Sequence, residues 1–399
     1  MADVLKSSGI IEKPKVSLLY DPKIRSIVFQ AALCLFILWM IYEGVSNVRE
    51  NLARAKIASG LGFWDSSAGF PISQSLIFYS EASSSYGRAF WVGLINTLLV
   101  ASIGIVLATI LGFTVGIARL SKNFLVSKMA YWYVEIIRNL PLLLQLLFWY
   151  NAVVKALPEV RDSMKLPGGV FLNNRGLIFP NPVAGDNLWI VGMMFWLGLL
   201  GAFFYRAYAK KKQEKTGAQS PIGLVALGLV LGLPLLFFVL LGAPLSFEQV
   251  QAGRFNITGG ISILPEFMAL LFGLVTYTAA FIAEAVRAGI QAVSKGQTEA
   301  SYALGLRPKP TLNNIIIPQA MRVIIPPLTS SYLNLTKNSS LAVFVGYPDL
   351  VNIFTGTVLN QTGQAIEVVA ITMMVYLTIS LTTSLFMNWY NARKALVER

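Results

Sequence analysis

The feature that most constrains the fold is a series of apolar stretches, each close to 20 residues long. About 20 helical residues, at about 1.5 Å of rise each, cover the roughly 30 Å hydrocarbon core of a bilayer. Apolar residues make up 55% of the chain and charged residues only 13%, which suits a chain solvated by lipid. The sequence therefore predicts an all-α polytopic membrane protein with about eight transmembrane helices. The predicted spans are residues 26–43, 91–117, 130–154, 188–206, 221–243, 265–286, 326–346 and 366–389.

The residue types exclude several kinds of site. The chain has no His and one Cys, Cys34, so neither a zinc site of Cys and His ligands nor a disulfide is predicted. The same count excludes a Ser-His-Asp triad, and the sequence holds no G-x-x-x-x-G-K-[ST] phosphate loop. We therefore expect no catalytic residue, metal or cofactor on this chain. If ATP drives the protein, ATP and Mg²⁺ are expected on a separate ATPase subunit.

The net charge of +13 has a topological explanation, because Lys and Arg occur in short clusters between apolar stretches. With the N-terminus in the cytoplasm, 21 basic residues fall in cytoplasmic segments and 9 on the opposite side. Basic residues in short loops fix the cytoplasmic side of a membrane protein. We therefore predict that both termini are cytoplasmic, and that the chain contacts the lipid bilayer and no nucleic acid.

The spans divide the chain into segments. The first span is interpreted as a retained anchor, since no small-x-small cleavage site follows it; a cleaved signal peptide is the alternative. The stretches 44–88 and 157–187 are rich in Gly, Pro, Ser and Asn and predict extracytoplasmic loops, with room for a short surface helix. The predicted segments are a cytoplasmic tail at 1–25, an N-terminal transmembrane helix at 26–43, a periplasmic segment at 44–90, a transmembrane domain at 91–389 and a cytoplasmic tail at 390–399.

The cytoplasmic loop 287–325 contains the signals of a short helix. Ser294 and Gln297 have the spacing of a capping box, which marks a helix start. Gly305, followed by two prolines within five residues, marks a helix end. The loop is therefore predicted to hold a helix of two or three turns between two spans.

The predicted short helix has a small apolar face. Ala300, Ala303 and Leu304 fall on one side at three- and four-residue spacing, beside Glu299. Such a face fits a groove on a cytoplasmic partner. A helix that lies on lipid headgroups is the alternative, although it would normally carry bulky Trp, Phe or Leu.

Seven residues of this loop follow the spacing E-A-A, three residues, G, nine residues, I-x-L-P. They are Glu299, Ala300, Ser301, Gly305, Ile315, Ile317 and Pro318, with Ser301 in place of Ala and Ile317 in place of Leu. This pattern resembles the EAA loop of permease subunits of binding-protein-dependent ABC importers. The resemblance implies that the loop is a coupling helix, seated in a cleft of the ATPase subunit.

Further stretches resemble the polar amino-acid branch of those permeases, which includes histidine, glutamate and general L-amino acid permeases. Residues 135–145 are similar to its E-x-x-R-G-T-P-L-L-x-Q pattern, with Asn-Leu in place of Gly-Thr. Residues 284–291 are similar to its A-E-x-x-R-G-G-I-x pattern, although Phe281 stands where Tyr is usual. Residues 318–322 and 334–341 complete the resemblance.

The resemblance implies an architecture and a function. The architecture is the five-helix core of a type I ABC importer, with one additional N-terminal helix and two helices inserted at about 188–243. The function is ATP-driven translocation of L-amino acids, of broad specificity, across the bacterial inner membrane. The implied partners are a second, different permease subunit, a dimer of ATP-binding subunits and a periplasmic amino-acid-binding protein.

The span 326–346 carries a cation. From a helix start at Pro326, about 1.5 Å per residue places Lys337 about 16 Å along the helix, near mid-membrane. A lone ammonium there costs at least about 2.5 kcal/mol, so Lys337 is expected to face a partner or water. Lys337 shares one polar stripe with Ser331 and with three further polar residues. We predict that this stripe lines the translocation path, and a structural network between helices is the alternative. The path residues are Ser330, Asn334, Lys337 and Asn338.

Four residues of the stretch 135–145 are candidates for a structural or gating role: Glu135, Arg138, Pro141 and Gln145. Glu135 and Arg138 lie three residues apart and are expected to pair within one helix. That pairing favours a structural role.

An ion-coupled secondary amino-acid transporter is the competing function. Such carriers keep carboxylates at mid-membrane, whereas Glu135, Glu266 and Glu284 lie toward span ends. A channel would need a filter-like loop or a ring of charge, and a membrane enzyme would need a nucleophile beside a base. Neither pattern is present in the sequence.

Overall fold

The computed structural model describes residues 22–54, 59–252 and 257–394. Residues 1–21 of the predicted N-terminal tail and 395–399 of the predicted C-terminal tail lie outside the described residues. In chain order the described helices are α1 (Pro22–Arg54), α2 (Tyr86–Ala118), α3 (Phe124–Asn139), α4 (Leu142–Leu147), α5 (Leu188–Thr216), α6 (Ile222–Leu227), α7 (Leu233–Leu240), α8 (Pro265–Gln291), α9 (Lys295–Ala303), α10 (Pro308–Thr311), α11 (Ile317–Asn338), α12 (Leu359–Thr362) and α13 (Ala365–Lys394). Segments of π-helix cover Phe148–Val154, Gly228–Gly232, Leu312–Ile316 and Val351–Val358, and 3₁₀ turns cover Val160–Asp162 and Ser339–Phe344.

The described residues hold six helices long and apolar enough to cross a membrane, or seven if one strongly bent pair counts as a single span. The six are Ile24–Asn51, Tyr86–Ala118, Leu188–Thr216, Ile222–Leu240, Pro265–Gln291 and Ala365–Arg393. The bent pair joins Phe124–Asn139 to Leu142–Val154 at 108°. The polytopic α-helical fold is thus confirmed, but a count of eight is not. The predicted span 326–346 is not one of these helices. It combines the polar second half of α11 with a 3₁₀ turn.

The centre of the fold is a contact between α2, α8 and α11 that depends on small residues. A Cβ added to Gly112 of α2 would lie 2.6 Å from Cβ of Ile282 on α8. A Cβ added to Gly289 of α8 would lie 2.3 Å from Cγ1 of Ile324 on α11. Small residues allow membrane helices to approach closely, and dispersion contacts then hold them together. These glycines therefore fix how closely the three helices pack.

A second core lies where the segment 59–85 folds over the start of α2. Trp64 of this segment packs on Phe90 at 5.1 Å between ring centroids, and Phe90 packs on Phe354 at 5.3 Å. Aromatic pairs at such distances add to the free energy gained by burial. The segment is thereby tied to α2 and to the π-helical turn Val351–Val358.

The stretch 157–187, predicted as loop, contains strands instead. The described strands are β1 (Met164–Leu166), β2 (Val170–Asn173), β3 (Gly176–Phe179), β4 (Asn181–Ala184), β5 (Leu245–Glu248), β6 (Gln251–Ala252), β7 (Ile257–Thr258) and β8 (Ile261–Ile263). They pair antiparallel in the orders β1-β2-β3-β8, β4-β5 and β6-β7. The Gly and Pro residues that predicted a loop form turns, as at Gly168 and Gly169, which adopt positive φ between β1 and β2. The same stretch also contains the 3₁₀ turn Val160–Asp162.

The remaining helices lie at the periphery. No residue is buried in the most apolar windows of α1 and of Ile222–Leu240, and 6% are buried in that of α5. In α8 the corresponding share is 61%. The helix α1 also continues to Arg54, beyond the predicted end at residue 43. The predicted additional and inserted helices therefore exist, and they make few contacts with the core.

Candidate functional site

The predicted short helix of the cytoplasmic loop is confirmed as α9. Ser294 caps its start, where the side-chain oxygen accepts a hydrogen bond from N–H of Gly296 at 3.3 Å. The helix ends before Gly305, which has a φ of 75°, a conformation that glycine adopts without a Cβ penalty. The reciprocal bond of a capping box is replaced by another contact: the Gln297 side chain accepts a hydrogen bond from Gln319 of α11 at 3.3 Å.

One face of α9 is open and the opposite face is fixed. Glu299, Ala300 and Ala303 are exposed, and Leu304 is 80% exposed. Ser301 is buried and donates a hydrogen bond to the carbonyl of Gln297 at 2.5 Å. A hydroxyl therefore fits where the EAA pattern has Ala. The arrangement presents a small, rigid surface with one carboxylate.

The remaining motif residues lead into α11. Ile315 lies in the π-helical turn Leu312–Ile316, and Ile317 and Pro318 are the first two residues of α11. The N–H of Ile317 still donates to the carbonyl of Leu312 in that turn, and Pro318, which has no N–H, follows where the π-helical turn passes into α11. The motif thus joins the exposed helix to the start of a core helix.

A cavity of about 720 Å³, lined in part by polar side chains, lies between α8 and α11. It contains three of the four predicted path residues, and the side chains of Ser330, Asn334 and Asn338 make no hydrogen bond to any other described residue. No charged side chain is among its lining residues. The lining residues are Tyr277, Thr278, Phe281, Pro326, Pro327, Ser330, Ser331, Asn334 and Asn338.

Lys337 lines a different cavity, of about 540 Å³, between the end of α11 and α13. The predicted helix start at Pro326 is wrong, because α11 begins at Ile317 and places Lys337 one residue before its end. The stripe therefore divides between two cavities. The second is lined by Lys337, Ser340, Val351, Thr355, Val369, Thr372, Met373, Tyr376, Leu377 and Ser380.

Pro141 and Gln145 shape the bend between α3 and α4. Leu140 is extended, as is common before proline, and Pro141 has no N–H to continue the helix. The buried Gln145 side chain donates hydrogen bonds to the carbonyls of Ile137 at 2.9 Å and Leu140 at 3.1 Å. Carbonyls freed at a break in an apolar environment require such donors. The amide thus holds both sides of the bend together.

Glu135 and Arg138 are not paired with each other in the described part of the chain. Glu135 lies 3.7 Å from the guanidinium of Arg119, which is the residue that follows α2. Arg138 lies 4.0 Å from Glu284 of α8. Glu284 also pairs closely with Arg119 and with Arg287. The expected pair within one helix is therefore replaced by a network across three helices. The one sequence feature that could have pointed to Arg119 as a network residue is its position directly after a long apolar run.

Asp349 is a buried carboxylate that the sequence analysis did not select. It lies in the chain between α11 and α13, outside the helices that are long and apolar enough to cross a membrane. Its oxygens accept hydrogen bonds from the N–H of Asn352 at 2.8 Å and from the Tyr376 hydroxyl at 3.3 Å. Burial raises the pKa of Asp349 to about 7. Nearby, Asn96 donates to the carbonyl of Pro348 at 2.8 Å, so this turn is held against α2.

Comparison with known proteins gives consistent matches. The family described as binding-protein-dependent transport system inner membrane component matches residues 220–395. The general L-amino acid transport system permease protein AapQ of Rhizobium johnstonii is 50% identical over 383 residues, 96% of this chain and 95% of AapQ. The glutamate/glutamine/aspartate/asparagine transport system permease protein BztB of Rhodobacter capsulatus is 41% identical over 413 residues, 96% of each chain. A crystal structure of an amino acid ABC transporter is 21% identical, with a TM-score of 0.46, over 77% of this chain and 95% of that chain.

Proposed function

Because this chain belongs to the permease subunits of binding-protein-dependent ABC importers for polar amino acids, we propose that it imports L-amino acids of broad specificity, driven by ATP hydrolysis on separate subunits. The chain is thus a multi-pass inner-membrane transport subunit. Broad specificity is supported by the relatives named for general L-amino acid transport and for transport of acidic amino acids and their amides.

The observation that carries the proposal is the continuity of α8 with α9. Tyr277, Thr278 and Phe281 of α8 form one wall of the cavity between α8 and α11. The helix ends at Gln291, and α9 begins at Lys295 after three residues. A displacement of α9 by an ATPase subunit would therefore act directly on a wall of the cavity.

The cavity is suited to a zwitterion. Ser330, Asn334 and Asn338 offer neutral donors and acceptors, which can bind both an ammonium and a carboxylate. Lys337 in the adjacent cavity supplies one positive charge for anionic groups. We assign these four residues to the translocation path.

The proposed assembly contains this chain, a second and different permease subunit, two ATP-binding subunits and a periplasmic amino-acid-binding protein. ATP and Mg²⁺ would bind the ATP-binding subunits. Both termini are proposed to be cytoplasmic, as the distribution of Lys and Arg indicates. A C-terminal alkaline phosphatase fusion that is active in the periplasm would contradict this orientation. The family match disfavours the ion-coupled alternative.

The coupling role of α9 can be tested in the reconstituted importer. Gly305→Val forces a β-branched residue into positive φ, and Glu299→Lys inverts the charge of the open face. Both variants should assemble normally, because these positions are exposed, and should lose uptake of labelled amino acids together with ATP hydrolysis stimulated by the binding protein. Thr298→Ser, on the same helix, is the control. Coupled activity at the wild-type level in both variants would show that α9 is not the docking helix.

A further inference from the structure

The helix α1 lies beside the start of α13, and a cavity of about 770 Å³ separates the two. Side chains on both walls remain exposed: Val45 of α1 is 54% exposed and Ile366 of α13 is 44% exposed. Neither helix therefore fills the gap with its own side chains. The lining residues are Ile41, Gly44, Val45, Val48, Arg49, Ser59, Gly60, Ile366 and Glu367.

The wall that α1 contributes is apolar over most of its length. Ile41, Val45 and Val48 recur at three- and four-residue spacing, so they share one face of the helix. From Ile41 to Arg49 this face extends over about 12 Å, at about 1.5 Å per residue. Gly44 leaves a notch in it, since a Cβ added there would meet no atom within 4 Å. Because apolar walls favour hydrocarbon over water, acyl chains are the expected filling.

Two opposite charges line the same cavity. Arg49 lies two residues before the end of the span Ile24–Asn51, and Glu367 lies two residues after the start of the span Ala365–Arg393. Both therefore lie where a span meets the membrane surface, at the level of lipid headgroups. In the described part of the chain they pair neither with each other nor with another charged residue.

The carboxylate of Glu367 is held in place and is still able to bind a further donor. One of its oxygens accepts a hydrogen bond from the N–H of Gly60 at 2.5 Å. Its other oxygen has no partner among the described residues. An Arg and a Glu that line one cavity without pairing leave room for a group that carries both charges.

We propose that this cavity binds a phospholipid whose headgroup carries a phosphate and a primary ammonium, as in phosphatidylethanolamine. The guanidinium of Arg49 would pair with the phosphate, and the carboxylate of Glu367 would accept a hydrogen bond from the ammonium. The acyl chains would lie along the apolar face of α1. The inference goes beyond the proposed function, because it concerns the attachment of α1 and not the passage of substrate.

Other occupants fit the walls less well. An anionic headgroup without an ammonium would leave Glu367 unpaired, and a choline headgroup has no N–H to donate. A free amino acid also carries both charges, but it would leave the apolar face of α1 uncovered. A phospholipid with a primary ammonium satisfies both charges and the apolar wall together.

The bound lipid would replace direct packing for α1. No residue is buried in the most apolar window of this helix, so side-chain contacts with the core do not hold it. A headgroup that bridges Arg49 and Glu367 would connect the end of α1 to the start of α13. The helix would then be positioned by lipid and by the hydrogen bond of Gly60.

Native mass spectrometry of the full-length chain tests the headgroup. The protein is incubated in mild detergent with equal amounts of phosphatidylethanolamine, phosphatidylcholine and phosphatidylglycerol. The wild type should retain phosphatidylethanolamine about fivefold over either competitor, as one charge-assisted hydrogen bond at a partly exposed site would give. Glu367→Gln should abolish this preference, whereas Arg49→Gln should lower retention of all three lipids. Equal retention of the three lipids by the wild type would overturn the inference.

The matched control is Glu50→Gln, next to Arg49 on α1. Glu50 forms an exposed pair with Arg54 and does not line the cavity. This variant should retain lipids as the wild type does. A loss equal to that of Arg49→Gln would show that the charge of α1, and not the cavity, attracts the lipid, and would overturn the inference.

A steric variant tests the cavity without changing either charge. Gly44→Leu should fold normally, because its Cβ meets nothing within 4 Å, and should lower retention of phosphatidylethanolamine about fivefold by filling the notch. Gly192→Leu, at an equally open position of α5, is the control and should have no effect. Retention at the wild-type level in Gly44→Leu would overturn the proposed site.

Photocrosslinking in the complete importer tests whether protein occupies the cavity instead. Benzoylphenylalanine is placed at position 45, in nanodiscs of phosphatidylcholine with a minority of phosphatidylethanolamine. Position 39, where Trp39 is 57% exposed on the opposite face of α1, is the control. The share of phosphatidylethanolamine among lipid adducts should be about fivefold higher at position 45. Equal shares at the two positions, or adducts of position 45 with the second permease, would overturn the inference.

Discussion

The core helix α8 and the inserted span formed by α6 and α7 show that apolarity and burial are independent in this protein. The window Ile222–Leu240 is more apolar than the window in α8, yet none of its residues is buried, against 61% in α8. The buried residues of α8 include many small ones, such as Gly273, Ala279 and Gly289. The inserted span Ile222–Leu240 instead exposes Leu224, Leu231 and Leu235.

The difference has a physical origin. Lipid tails solvate leucine as well as another helix does, so apolar side chains give no driving force for packing inside a bilayer. Close contact and polar interactions provide that force, and α8 has both: close contacts at Gly112 of α2 and at its own Gly289 against α11, and Glu284 in an ionic network. Apolarity therefore predicts which helices enter the membrane, but it does not predict which of them form the core.

The largest expected effect comes from filling the contact between α2 and α8. In Gly112→Leu, the first added carbon alone would lie 2.6 Å from Ile282 and 3.0 Å from the carbonyl of Ala279. We expect a loss of about 3 kcal/mol of folding free energy, the upper range for overpacking. Unfolding in mixed micelles would measure it. Gly223→Leu in α6, where a Cβ meets nothing within 4 Å, is the matched control and should be near neutral. Equal losses in both variants would remove the distinction between the two regions.

A smaller effect is expected from the ionic network. Glu284→Gln removes the closest carboxylate of Arg119, whose side chain is only 8% exposed, and leaves it only Glu135 at 3.7 Å among the described residues. Removal of one partner from a fully buried pair costs about 3 to 5 kcal/mol, and the partial exposure of Glu284 should reduce this to between about 2 and 3. Glu214→Gln in α5 breaks an exposed pair with Lys210 and should cost less than about 0.5 kcal/mol. Thermal midpoints of the purified variants should therefore fall clearly for position 284 only.

The dependence of stability on pH should also distinguish the buried Asp349 from exposed carboxylates of the inserted helices. The pKa of Asp349 is raised by burial to about 7, above about 3.9 for an unfolded Asp. The folded state therefore holds this proton more tightly, and the contribution of Asp349 to stability falls as pH rises between about 4 and 7. Between pH 5 and pH 7 the decrease should reach about 2 kcal/mol.

Asp349→Asn should abolish this contribution, so that the variant loses less stability than the wild type between pH 5 and pH 7. Denaturation of both proteins at the two pH values would show the difference. Glu214→Gln, at an exposed position of an inserted helix, serves as the control. Parallel pH profiles for Asp349→Asn and the wild type would contradict a raised pKa.

The smallest effect is expected at the bend of α3 and α4. Gln145→Leu removes the donors to the carbonyls of Ile137 and Leu140. The loss should be about 1 kcal/mol, in the lower range for unsatisfied buried groups, because Oε1 of Gln145 is itself buried without a partner among the described residues. Asn151→Leu removes only exposed hydrogen bonds, to the carbonyl of Leu147 and from Lys155, and should have almost no effect. Equal urea or detergent sensitivity of the two variants would argue against a structural role for Gln145.

Features set by neighbouring residues were predictable from the sequence. The helix α9 was predicted because Ser294 and Gly305 mark its start and its end through interactions with residues close to them in sequence. Most spans were predicted because a membrane span is one continuous segment of mostly apolar residues, which can be recognised without any distant partner. The strands were missed because β3 is completed by β8, more than 80 residues later in the chain. The functional roles of the coupling, path and bend residues stay predictions.

Other expectations failed where distant groups competed with local ones. Glu135 and Arg138 have the spacing of a helical pair, but Arg119 and Glu284 approach them from other helices. A sequence without a tertiary structure does not place those partners. The start of α11 failed for a different reason: Pro326 was taken as the first residue, although the helix continues through it.

Pro326 and Pro327 lie inside α11 and remove two successive amide protons from it. The carbonyls of Arg322 and Val323 thereby lose their usual helical donors. In hydrogen exchange, α11 should consequently behave as two half-helices that open independently. The half that begins at Ile317 belongs to the motif, and the half that ends at Asn338 carries the cavity asparagines. A joint of this kind lets one half tilt while the other stays in place, so the cavity can change width without any helix leaving the core.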